Sequence, residues 1–99
     1  MADGFSARRE ATKIEQLAEK MEQPMYPIER ADLQKKLQAE VNSMTLKQLR
    51  EVGLLIEKET PHMDAMTGYM NDVTFDDDKN VVGFVFHRSQ NSVSVRKSN

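Results

Sequence analysis

Apolar and polar residues alternate along this chain with two different periods, helical up to about Pro61 and close to two after it. Leu33, Leu37, Val41 and Met44 recur at steps of four, four and three, which places them on one face of a helix, while Gln34, Lys35, Lys36, Gln38 and Glu40 take the other. Leu49, Val52 and Ile56 form a second stripe, and Leu46 and Leu55 widen it into a face broad enough to pack on a partner. Thr45 with Gln48 three residues on fits a capping box that starts this helix at Leu46, and Pro61 supplies its stop. With Pro27 at or just before the first turn, the pattern predicts an antiparallel helical hairpin over about 28–43 and 45–59, with the seam between the helices as the core.

The flanks are weaker. Ile14, Leu17 and Met21 fall at helical spacing, and this thin stripe predicts a marginal N-terminal helix that forms fully only when docked. Gln23 to Pro27 reads as a linker, because its two prolines bias their predecessors away from helix. The segment HMDAMTGYMND reads as a polar, Met-rich loop with room for a helical turn around Met63 to Met66. Val73 and Phe75 then alternate with Thr74 and Asp76, predicting an acidic strand over about 72–76, and Asp77 to Asn80 is a turn cluster. The run VVGFVF within 81–87 is β-branched and aromatic, so propensity favours a strand paired with 73–76. The competing reading is a short third helix with Val81, Val82, Val85 and Phe86 packed inward, which Gly83 and the valines weaken. The tail SVSVRKSN reads as a frayed third strand or disorder. The fold class is mainly α, a small α+β domain over 28–88, with a flexible or weakly helical segment at 1–27 and a polar tail at 89–99.

Composition narrows the function classes. The 99 residues suffice for one small domain, which buries only about 60 to 65% of its unfolded surface. Apolar residues at 38% and charged residues at 30% point to some disorder. There is no cysteine, hence no disulfide framework or thiolate metal site, and no apolar run approaches the ~20 residues that span a bilayer. The N-terminus lacks the apolar core of a secretory signal, and no Asn-x-Ser/Thr sequon occurs. The net charge of −2 hides a polarity: from Pro61 to Asp78 there are five acids and no Lys or Arg, and from Lys79 onward four bases and no acid. The acidic stretch suits a basic protein or peptide partner and argues against nucleic acid.

Tests for chemistry turn up little. His62 and His87 have no second ligand at a metal-site spacing and read as structural or surface residues. Asp76, Asp78 and Asn80 occupy the first alternate positions of a calcium loop, but Val81 stands where that loop needs Gly and His87 where it needs a bidentate Glu. No nucleophile motif, phosphate loop or carboxylate pair on an apolar background is present, so neither an enzyme nor a bound cofactor is expected. The seven methionines read first as loop and core filler and second as an adaptable binding surface. The stretch Asp72 to Asp78 reads either as a solvated hairpin turn or as an exposed strand edge whose aspartates select a basic guest.

Leu37, Glu40, Val41, Asn42 and Met44 in the first helix, Leu49, Val52, Leu55, Ile56 and Pro61 in the second, and the strand Asp72, Val73, Thr74, Phe75, Asp76 together form a pattern. It resembles the extraterminal (NET) domain of the bromodomain-and-extraterminal proteins, over about half of the chain. The resemblance implies a nuclear, non-enzymatic protein-protein interaction module, monomeric, that takes up short peptides of alternating Lys and apolar residues from chromatin or transcription regulators. Asp72, Val73, Phe75 and Asp76 would be the strand contacts, aided by Asp77 and Asp78, and Leu49, Val52 and Ile56 the groove wall. Two departures stand out: Thr74 replaces an acid, and KNVVGFVFHRS is a poor match to the family's third helix. The alternative function is a self-associating structural helical protein whose stripes meet a second copy.

Overall fold

The computed structural model describes residues 4–59, 70–88 and 91–98. They form α1 (Ala7–Glu22), α2 (Pro27–Ser43), α3 (Leu46–Glu59), β1 (Met70–Phe75), β2 (Val81–His87) and β3 (Val93–Arg96). The strands make one antiparallel sheet in the order β1-β2-β3, and the helices pack on one face of it, giving a small, mainly helical α+β fold. The run at 81–87 is a strand, as its β-branched and aromatic content predicts, and β1 begins at Met70, two residues before the expected start. Of the expected loop HMDAMTGYMND, the last three residues belong to β1, while residues 62–69, with the turn expected at Met63 to Met66, and the expected helix stop at Pro61 lie outside the described residues.

Local sequence fixes the helix starts. Thr45 N–H donates to Gln48 Oε1 at 3.0 Å and Gln48 N–H donates to Thr45 Oγ1 at 3.1 Å, the reciprocal capping box read from the sequence. At α1, Arg9 N–H donates to Ser6 Oγ at 3.3 Å, and at α2, Tyr26 N–H donates to Glu29 Oε1 at 3.1 Å beside Pro27.

The core departs from the expected α2–α3 seam. Although the two helices follow each other through the short connection at Met44 and Thr45, their stripes are covered mostly by α1 and the sheet, α2 lying over β3 and α3 over β1 and β2. α1 packs against both α2 and α3, burying Ala11, Ile14, Ala18 and Met21. Its stripe looks thin in the sequence because two of these four residues are alanines, which add little apolar area but allow close helix approach. From the sheet come Phe84 and Phe86, fully buried on β2, with Val93 and Val95 on β3.

The core therefore crosses both boundaries drawn at 27/28 and 88/89. α1, in the N-terminal flank, is one of the packed helices, and the C-terminal flank contributes the strand β3. Lys97 anchors the end of that tail by donating from Nζ to the Asn42 and Met44 carbonyls at 2.9 and 2.6 Å, where the C-terminus of α2 lacks a basic residue of its own. At the other end of β2, Arg88 pairs with Glu22 of α1 at 3.5 Å and lies over the Phe86 ring.

Between α1 and α2, Lys13 Nζ bridges Glu10 at 3.8 Å and Glu40 at 3.3 Å. Burial, and then the neighbouring Glu40, raise the Glu10 carboxyl above its usual range. A carboxyl raised on folding weakens the fold above its folded pKa, and that penalty is relieved as pH falls through it. Glu10→Gln is thus expected to raise the thermal midpoint at neutral pH and to flatten its rise toward mild acid, both measurable by circular dichroism melts. Ile14→Ala is expected to lower unfolding stability by about 2–5 kcal/mol, as for any core truncation, in a single denaturant transition that includes the sheet. A loss under 1 kcal/mol would mean that α1 is peripheral.

Candidate functional site

The two outer edges of the sheet are built differently. Lys97 N–H donates to Val82 O at 2.7 Å, and this sets the alternation of the β2–β3 ladder so that the backbone groups of Ser94 and Arg96 point away from β2. Their carbonyls accept hydrogen bonds from the side-chain amides of Gln34 at 3.0 Å and Gln38 at 2.6 Å, so α2 closes this edge. By the same alternation the backbone groups of Asn71 and Val73 point outward from β1. Among the described residues no strand pairs with β1 on that side.

Beyond Phe75 the chain reverses in a tight turn. Lys79 N–H donates to Asp76 O and Asp76 N–H donates to Asn80 O, both at 3.0 Å. The Asp76 carboxylate accepts from the backbone N–H of Asn80 at 2.8 Å, from that of Asp78 at 2.9 Å and from the Asn80 side-chain amide at 3.3 Å. These donors, the Asn80 backbone N–H foremost, hold its carboxyl below the usual carboxylate range. Lys79 closes the turn at φ 66°, in the left-handed region where glycine or asparagine is the usual choice.

Set on this frame, the residues expected to form a peptide site separate. Leu49, Val52 and Ile56 are each 0% exposed and belong to the core, so they are not a groove wall. They form the broadest apolar face of α3, and that face is sealed by α1 and the sheet. Val73 is half-buried beneath α3. Asp76 serves its own turn. Asp72 is exposed on the sheet face away from the helices, opposite Val85 and 3.9 Å from His87 Nε2, and Asp77 and Asp78 are exposed on the turn. Of the apolar positions expected, Phe75 alone is open, at 55% exposure.

Phe75 faces a groove of about 550 Å³ whose other wall is a different face of α3. Lys47, Arg50, Leu54 and Glu57 line it at steps of three, four and three, with Leu46 at its end and Lys79 and Asn80 across from them. Leu46 and Leu54 are exposed at 41% and 60%, so Leu46 belongs to this groove rather than to the core stripe. The sequence carried one signal for this wall: Leu54 is a large apolar residue lying off the Leu49, Val52, Ile56 stripe, on the same face as Lys47 and Arg50.

Among the described residues no group of three side chains is placed to hold a metal ion, and no helix is long and apolar enough to cross a membrane. No family model, curated protein or solved structure matches the chain.

Because its folded pKa is depressed, Asp76 supports the turn above the ordinary Asp value of about 3.9, and that support is lost as pH falls through the lower folded value. Asp76→Ala is expected to abolish the slow hydrogen exchange of the Asp78 and Asn80 amides while leaving the helical signal unchanged. Retained protection of both amides would show that the carboxylate is dispensable to the turn.

Proposed function

We propose that the chain is a non-enzymatic protein-protein interaction module that takes an extended segment of a partner as an added strand along the outer edge of β1. The observation that carries this reading is the asymmetry of the sheet: Gln34 and Gln38 close the β3 edge, whereas β1 presents outward backbone groups beside a groove in which Phe75 and Leu54 are exposed. Strand addition draws affinity from main-chain hydrogen bonds and specificity from pockets that receive alternate side chains. Here the pocket is the groove between Phe75 and Leu54.

The extraterminal resemblance supports the same mode of binding and, with it, recruitment of chromatin or transcription regulators in the nucleus. Two features set this chain apart from the resemblance. Strand β2 stands where that family has a third helix, and the groove wall is the Leu54 face of α3 rather than the buried Leu49, Val52 and Ile56.

Titration with short peptides that alternate apolar and polar residues is expected to shift the amide resonances of Asn71, Val73 and Phe75 together with those of Arg50 and Leu54. Phe75→Ala should weaken binding about tenfold or more, as removal of a central aromatic anchor does, with little change in melting temperature. Shifts restricted to scattered surface charges, or a tight dimer by sedimentation that ignores every peptide, would overturn the reading in favour of self-association.

A further inference from the structure

The groove beside β1 has a charge opposite to that of the acidic stretch that supplies its strand. Among the described residues three cations line it, Lys47, Arg50 and Lys79, against one carboxylate, Glu57. The aspartates are placed elsewhere: Asp72 on the far face of the sheet, Asp76 engaged with the Asn80 and Asp78 amides, and Asp77 and Asp78 on the turn outside the groove lining. Charge along the sequence and charge around the site thus differ in sign, because the hairpin turns the aspartates away and α3 brings its basic face alongside.

A second observation is independent of the charge count. Lys79 adopts φ 66° at the end of a tight turn, a conformation that glycine reaches without steric strain and a lysine does not. A strained residue whose side chain lines the mouth of a groove points to a role for that side chain.

We infer that the partner segment is acidic and apolar, with Asp or Glu and large apolar residues taking turns on its groove-facing side, rather than the basic segment implied by the extraterminal resemblance. The inference rests on the reading that β1 accepts an added strand. Alternate residues of such a strand point to opposite sides and recur on one side at about 6.6 to 6.8 Å. Only side chains on the helix side reach the groove, so apolar and acidic residues share that side, the apolar ones meeting Phe75 and Leu54 and the carboxylates meeting Lys47, Arg50 and Lys79. Long-range attraction between the basic rim and an acidic guest raises the association rate and is screened by salt.

Three peptides of equal length, each with Thr at every second position and, at the positions between, Ile in turn with Glu, with Lys or with Ser, titrated into the full chain by fluorescence anisotropy at low and physiological salt, test this. The Glu peptide is expected to bind at least tenfold more tightly than the Lys peptide, with the gap narrowing as salt rises. Lys79→Gly should weaken Glu-peptide binding severalfold while raising the melting temperature, a pairing that a purely structural role for Lys79 does not produce. Lys47→Glu combined with Arg50→Glu should reverse the preference between the charged peptides. Equal or tighter binding of the Lys peptide, or an unchanged Glu-peptide affinity in both variants, overturns the acidic partner and leaves strand addition standing. Failure of all three peptides to bind overturns strand addition itself.

Discussion

The close approach of α3 to the sheet at Gly53 sets the layout of the molecule. A Cβ at this position would sit 3.2 Å from a Val73 methyl and 3.3 Å from a Val81 methyl, tighter than ordinary packing contacts. With no side chain there, α3 lies low across β1 and β2, and Leu49, Val52 and Ile56 are sealed. The same placement leaves the adjacent helix face, carrying Leu54, beside the outer strand. Core and groove are therefore two consequences of one contact, which is why Val52 and Leu54, two residues apart on one helix, have such different surroundings.

A chain this short needs nearly every apolar side chain it has. The fully buried Phe84, Phe86, Ile14, Leu37, Leu49 and Ile56 each contribute about 1.5–3 kcal/mol by leaving water. They come from four elements, so no pair of helices and no hairpin of strands has a core of its own. α1 lies where it contacts both other helices, and β3 holds α2 through hydrogen bonds from Gln34 and Gln38. The packing of α1 and β3 into the fold follows from this division of the core.

Much of the fold was legible in the sequence. The Thr45 and Gln48 box, the steps of Leu37 and Val41, and the β-branched run at 81–86 each reflect a local preference that the tertiary structure leaves intact. The weight of α1 was hidden because Ala11 and Ala18 carry little apolar area and matter for how closely helices approach. β3 was hidden because Val93 and Val95 make a short alternation in a polar tail, and only burial of that one face distinguishes it from a frayed end. The site was less legible than the fold. An apolar stripe such as Leu49, Val52 and Ile56 reveals that a face is covered, not whether the cover is the chain itself or a guest. Leu54 among Lys47, Arg50 and Glu57 reads as a solvated face until β1 is placed beside it.

The glutamine-capped edge at β3 also bears on assembly. A sheet with two open edges is a monomer that can polymerise, because each strand it gains exposes another place to add. With Gln34 and Gln38 occupying the Ser94 and Arg96 carbonyls, this sheet can extend in one direction only. Two copies that met through β1 would present closed edges on both sides, so growth would end at the pair and stoichiometry would be set by the fold itself.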